Sequence, residues 1–414
     1  MTMASTAASI MASHRTPKPR RVVVVVDVLD PDNFLTVLAV RHLLLPPCDK
    51  LHVVLTGRPV NLGVRSIPPA EFGQRLKAGE EIGALLCRGA DETDVPLHAE
   101  RVLQDGAARL GCFLRKCGVS TSFAIYHGGI APATPVSHEA HARGFLFDRK
   151  DLYDSDAFAP QAMPSASADA MAAAEPGQSV SPSEYYSMLV QLDAMPPEDR
   201  APAILAKLRP YNLHPLSTLL RELGGDPVDV VVGGPATSVD ELRRRGLQTH
   251  AIHMMGGAWD NGNSSSVNIF ANQFNIAADT KAARRLFDDA GVEVRLIPTE
   301  TCKHPALAMT PESLGAHLKG CANTGAVDAT LGLYSLWHAI SGRRPFYIFD
   351  LSAVISCIQD AAFDMRPVVC SMEGRYFRFK DAGGASNTRM ASRNVSDATL
   401  RAYYAALHEM FNKV

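Results

Sequence analysis

The sequence predicts a doubly wound α/β protein on a mostly parallel sheet, and three observations carry that expectation. Residues 22–26 are five consecutive valines, a run suited to a central strand buried on both faces. From there strand-like and helix-like stretches alternate, the order that gives a parallel sheet with crossover helices. The strand-like runs end in polar or Gly-rich turns, which puts polar groups in the crevice outside the strand carboxyl ends, where open α/β sheets bind ligands.

In chain order, the valine run leads into Asp27, Asp30, Pro31, Asp32 and Asn33, after which Phe34, Leu35, Leu38, Ala39, His42 and Leu43 recur at helical spacing. Carboxylates crowded with an amide at a strand end repel one another unless something positive sits among them, and a divalent cation with oxygen ligands answers that need. The competing reading is a solvated acidic turn capping a helix, for which Asp32 and Asn33 are both suitable. Residues 50–56 form a second strand ending in Gly57, Arg58, Pro59, Val60 and Asn61. Residues 69–116 read as helical, with Leu76, Ile82, Leu85, Leu86, Leu103, Ala107 and Leu110 at three-to-four spacing. A third strand over 121–126 runs into a loop, His127-Gly128-Gly129, placed over the presumed site.

From about 155 to 183 the composition turns to Ala, Ser, Pro and Met, which predicts a disordered insertion that cannot bury enough apolar surface to order itself. Helical patterning resumes after Pro182 and continues through Leu220. Another buried strand over 228–232 enters Gly233-Gly234-Pro235-Ala236-Thr237-Ser238, and a further one over 249–255 enters Gly256-Gly257. The expected organisation is a tail over residues 1–20, disordered or targeting, followed by one α/β domain over 21–414 that carries the insertion.

Bulk properties exclude several classes. A 46% apolar and 20% charged chain fits a soluble globular protein with a sizeable core. A net charge of −2 gives no electrostatic case for nucleic acid or anionic lipid. No apolar run reaches the ~18–20 residues that span a bilayer. The 8 cysteines show no zinc-type pairing and sit in apolar contexts, as expected of thiols in a reducing compartment; an intracellular location is expected, cytoplasmic ahead of mitochondrial. His127 with the His138-x-x-His141 pair raises a zinc alternative, but no cysteine or carboxylate spacing completes a tetrahedral set. Asp27-Val28-Leu29 lacks the second aspartate of a D-x-D phosphatase motif, and there is no Walker-type phosphate loop.

Four segments, in order, resemble the inosine–uridine-preferring nucleoside hydrolase family. His253-Met254-Met255-Gly256-Gly257, Gly262-Asn263, Gln273-Phe274-Asn275 and Asp279-x-x-Ala282-Ala283 are similar to that family's MGG…GN…EFN…D-P-x-A-A segment. Gly233-Gly234-Pro235-Ala236-Thr237 is similar to its G-P-L-T-N turn, Phe349-Asp350-Leu351 to its late H-D-P-L-A segment, and the stretch from Asp27 to Asn33 to its opening acidic motif. The resemblance covers roughly 22–150 and 226–370.

The resemblance implies a nucleoside hydrolase-type sheet and Ca²⁺-dependent hydrolysis of the N-glycosidic bond of a nucleoside or related ribosyl compound, through an oxocarbenium-like sugar. It implies Asp27 as general base, with Asp30 as the alternative. It implies Asp27, Asp32 or Asn33, the carbonyl of Thr237 and Asp350 as calcium ligands. Asp32, Arg58, His127, Met255, Asn263, Gln273, Asn275 and Phe349 would line the substrate site, Met255 as an apolar wall against the sugar. The chain departs from the pattern at Asn33, where the family has a second aspartate, and at Gln273, in place of a glutamate. It departs again at Phe349, where a histidine often protonates the leaving base, and at Arg58, in place of an asparagine. Trp259, Phe349 or Trp337 would then activate the base by stacking. The departures at Asn33, Gln273 and Phe349 motivate a rival reading, a catalytically silent relative acting as a binding or structural subunit of a larger assembly. Partners are expected to be a small ribosyl molecule and a homo-oligomer or larger assembly.

Overall fold

The computed structural model describes residues 21–27, 31–47, 49–57, 103, 106–107, 110–111, 113–119, 123–131, 213–259, 275–276, 278–289, 291–340, 345–373 and 376–413. The insertion at 155–183, the tail over 1–20, and Asp30, Arg58, His138, His141, Asn263 and Gln273 lie outside them, as does the side chain of Trp337.

The valine run forms strand β1 (Val22–Asp27), every residue of it buried. Helix α1 (Pro31–Ala39) follows and finishes in a π-helical turn over Val40–Leu44. Because α1 begins at Pro31, Asp32 and Asn33 lie in its first turn rather than ahead of it as caps. Proline suits such a start, since its fixed φ matches the helix and its missing N–H would have had no partner there. Next come β2 (Leu51–Gly57), β3 (Phe123–Ile130) and the two-residue β4 (His214–Pro215). Helix α2 (Leu216–Leu223) precedes β5 (Val228–Gly233), helix α3 (Thr237–Arg244) and β6 (Thr249–Met255). Helix α4 (Thr280–Asp288) leads to β7 (Glu293–Ile297), the short α5 (Thr299–Cys302), α6 (Pro311–Leu318) and α7 (Thr324–Ile340). Helix α8 (Leu351–Ile358), strands β8 (Met365–Glu373), β9 (Tyr376–Asp381) and β10 (Thr388–Ala391), and helix α9 (Asp397–Asn412) complete the described chain.

The strands make one ten-stranded sheet in the order β4-β3-β2-β1-β5-β6-β7-β10-β8-β9. Pairing is parallel from β4 through β10, and β8 joins β10 antiparallel. This bears out the mostly parallel α/β expectation. Strand alternation divides the valines between two cores: Val22, Val24 and Val26 pack on one face with α1, α8 and α9, while Val23 and Val25 pack on the other with α2, α3 and α4. The sheet is therefore covered on both sides, which is why β1 needs no polar alternation. Among the described residues, no helix is long and apolar enough to cross a membrane, and Cys117, Cys302, Cys321, Cys357 and Cys370 are free thiols.

The order fixes where a ligand can bind. From β1 the sheet grows through β2, β3 and β4 on one side and through β5, β6 and β7 on the other, so the chain reverses direction between β1 and β5. A crevice opens outside the carboxyl ends at such a switch point. Asp27 ends β1 and Gly233 ends β5, side by side in that crevice.

Candidate active site at the switch point

The Asp27 side of the site starts with burial. Asp27 is 2% exposed, Asn33 1% and Asp350 4%, so the solvated-turn reading of these residues does not hold. Asp32, next to Asn33, is half-buried. Asn33 Nδ2 donates a hydrogen bond to Asp27 Oδ1, joining the end of β1 to the first turn of α1. The other end of that amide, Asn33 Oδ1, is buried with no hydrogen-bond partner.

Two glycines let Asp27 and Asp350 both pack closely against the end of β5. A methyl group at Gly234 would stand 2.7 Å from the Asp27 backbone nitrogen and 3.3 Å from its Cβ. A methyl at Gly233 would stand 2.5 Å from Asp350 Oδ2 and 2.6 Å from its Cγ. The turn after β5 is therefore pressed between Asp27 on one side and Asp350 on the other, and no larger residue leaves room for both. Asp350 precedes α8, and its turn is held from behind, where Tyr403 of α9 donates its hydroxyl to the Ile348 carbonyl at 3.0 Å.

Cys302 reports electrostatically on the same neighbourhood. Burial pushes its thiol up to about 12, and the carboxylates of Asp350, Asp32 and Glu300 add to the shift. The thiol contacts Ser352 Oγ at 3.3 Å and the Phe349 carbonyl at 3.7 Å, at the start of α8. Asp27 and Asn33 are thus in direct contact, Asp350 packs against the adjoining Gly233, and Asp350 and Asp32 share the field around Cys302.

The β6 side supplies a second group. Asn275 is 8% exposed and its Nδ2 donates to the Met255 carbonyl at 3.1 Å, with Met255 Sδ 3.8 Å away. Asn275 is helical rather than a cap. The turn after Met255 is laced to the next strand end: the Thr299 N–H donates to the Gly257 carbonyl at 3.2 Å, and the Trp259 N–H donates to Glu300 Oε1 at 3.0 Å. Trp259 Nε1 donates to the Ala391 carbonyl at 2.8 Å. Thr237 opens α3 and its hydroxyl donates to Asp279 Oδ2 at 2.9 Å. Phe349 is half-buried with its ring 5.7 Å from Tyr347 and Lys303 Nζ 6.0 Å above it. His127 lies within β3 rather than in a loop beyond it, in register with Leu55 and two strands from β1. The strand continues past Tyr126 because Gly128 and Gly129 sit against Ser238, whose hydroxyl accepts the Gly129 N–H at 3.0 Å.

Two residues here have a role that the sequence does not assign them: Asp279 figures there only as part of a motif, and Glu300 is not singled out. Glu300 sits just past β7, and burial raises its carboxyl above the usual range against the lowering effect of the Trp259 N–H, Arg393 and Lys303. Its Oε2 is buried without a partner. Asp279 is 6% exposed and serves two masters, accepting from Thr237 and from the Ala282 N–H at 2.9 Å as the cap of α4. The strand-end rule that selected Asp27 would have selected Glu300 had β7 been recognised.

The donor set is made of oxygens, the choice of a hard cation such as Ca²⁺ or Mg²⁺. Among the described residues no three His, Cys, Asp or Glu side chains form a metal-holding group. A cation at this crevice would therefore draw on amide or carbonyl oxygens besides carboxylates, and the unpartnered Asn33 Oδ1 is such a donor.

Comparison with known proteins agrees with this architecture. The family model described as inosine-uridine preferring nucleoside hydrolase matches residues 113–399. Among solved structures, the type III effector protein XopQ complexed with adenosine diphosphate ribose is similar in fold, with a TM-score of 0.55 at 13% identity over 100% of this chain and 99% of that one. An inosine-uridine preferring nucleoside hydrolase from Bacillus anthracis gives 0.50 at 11% identity over 95% of this chain and 100% of the other. A purine-preferring ribonucleoside hydrolase from Gardnerella vaginalis gives 0.50 at 14% over 95% and 99%. No curated protein sequence matches the chain.

Proposed function

We propose, from the premise that this chain belongs to the inosine-uridine preferring nucleoside hydrolase family, that it cleaves the N-glycosidic bond of a nucleoside or related ribosyl compound with the help of a calcium ion, releasing the sugar and the free base. The observation that carries the reading is the burial of Asp27, Asn33 and Asp350 around the paired glycines at the switch point. Buried carboxylates cost free energy unless they are compensated, so a fold that brings them together spends stability on a site.

The residues divide the work as follows. Asp27 accepts the proton of the attacking water, and the Asn33 N–H on Oδ1 fixes the orientation of its carboxylate. Asp27, Asp32, Asn33, the Thr237 carbonyl and Asp350 would hold the ion. When bound, that ion supplies Lewis acidity and oxygen coordination for the ribose hydroxyls and the water. Asn275, its nitrogen committed to the Met255 carbonyl, presents its oxygen to a sugar hydroxyl. Met255 provides the apolar wall, and the half-buried Phe349 ring serves the leaving base by stacking rather than by proton donation. Asn263, Gln273, Arg58 and His127 complete the substrate contacts in this reading.

A second reading draws on two observations, that the Asp27 carboxylate is already engaged by an amide and that no histidine stands at position 349. On it the chain binds a ribosyl ligand without cleaving it. One experiment separates the two. The purified protein is incubated with purine and pyrimidine nucleosides and with adenosine diphosphate ribose, with and without chelator, while reducing sugar and ligand binding are followed. Hydrolysis that chelator removes and Asp350→Ala abolishes supports the enzyme. Binding without sugar release supports the silent relative and sinks the hydrolase.

A further inference from the structure

Asn33 is in an unusual position for an amide. It is 1% exposed, one end donates to a carboxylate that is itself 2% exposed, and the other end is an acceptor with no donor. The orientation is set by chemistry, because turning the amide over would press Asn33 Oδ1 against Asp27 Oδ1 and leave both oxygens without a proton between them. A carboxylate in the same place would meet Asp27 as a like charge, and the pair would need a cation or a shared proton to stay together. The amide needs neither, since its N–H holds Asp27 directly.

The unpartnered end matters equally. A buried acceptor left without a donor is costly and in a native structure calls for an explanation. Asn33 Oδ1 belongs to the amide that lies against Asp27, within the crevice that Asp350 closes from the far side of Gly233 and Gly234. It is a neutral oxygen donor, and cation affinity in oxygen sites follows the number of charged ligands.

We propose that Asn33 makes this acidic crevice self-supporting, so that its divalent cation is an exchangeable ligand that tunes the site rather than a structural requirement for holding it together. The identity of the ion rests on the calcium reading above; the support of Asp27 by Asn33 does not.

The test uses the full chain and two variants, Asn33→Asp and Asn33→Ala, with thermal melting in chelator, melting across a calcium titration, and calcium binding by calorimetry. In chelator the wild type melts highest, Asn33→Ala lower through loss of the hydrogen bond, and Asn33→Asp lowest through like-charge repulsion. With calcium present the order of wild type and Asn33→Asp narrows or inverts, and Asn33→Asp binds the ion about tenfold tighter or more. An Asn33→Asp protein that melts with the wild type in chelator overturns the proposal. Equal calcium affinity in the two proteins overturns it as well. Calcium binding by neither protein removes the calcium reading and the exchangeable ion with it, while the melting order in chelator judges the Asn33–Asp27 support on its own.

Discussion

Adding a single methyl group at Gly233 tests whether the turn after β5 holds Asp350 in place. Gly233→Ala would set a Cβ 2.5 Å from Asp350 Oδ2, 2.6 Å from Cγ and 2.9 Å from Cβ, where ordinary contact begins at 3.4 Å. The carboxylate must therefore retreat by about 0.9 Å. Asp350 is 4% exposed and its turn is tied to Tyr403, so the retreat strains packed structure instead of moving into solvent. Overpacking of this kind costs about 1–3 kcal/mol, and a misplacement near 1 Å in a catalytic group costs roughly 100-fold in rate. Urea denaturation reads the first effect and sugar release from a nucleoside reads the second. Gly256→Ala is the matched control, because its nearest neighbour is Ile276 Cγ1 at 3.4 Å, an ordinary contact. The reasoning fails if Gly233→Ala matches the wild type in both assays, or if Gly256→Ala is equally damaged.

Two further outcomes are expected. Asp279→Ala removes both the Thr237 hydrogen bond and the α4 cap, for about 2 kcal/mol of stability, whereas Asp279→Asn keeps the cap and loses less; equal losses in chemical denaturation would count against this division. For Glu300 the folded-state pKa lies above the ordinary 4.5, so the folded protein keeps a proton that the unfolded chain gives up just above that value. Stability supplied by the protonated form is accordingly lost as pH rises from 4.5 through the raised value. Unfolding free energy should fall more steeply across that window in the wild type than in Glu300→Gln, and parallel curves would refute the assignment.

Strong periodicity made the centre of the sheet legible in the sequence. Five valines leave no polar face, so β1 had to be central, and the stretches that became β2, β5 and β6 share that character. The far side was harder to read. β7, an interior strand, alternates half-buried Glu293 and Arg295 with buried Val294 and Leu296, while β8 and β9, which end the sheet, carry Arg366, Arg378 and Lys380. Their charges obscured the strand pattern, and Glu300 was missed with β7.

The order of residues fixes that acidic and amide groups stand at the end of a doubly buried strand, since an unbroken apolar run fills the sheet and the first polar residues after it fall outside its carboxyl end. What those groups do to one another follows from the folded arrangement alone. Asp27, Gly233 and Asp350 are hundreds of residues apart in part, and their contacts arise from strand order. The Asn33 amide turns toward Asp27 because, once both are out of water, an N–H against a carboxylate is the arrangement that leaves the charge satisfied.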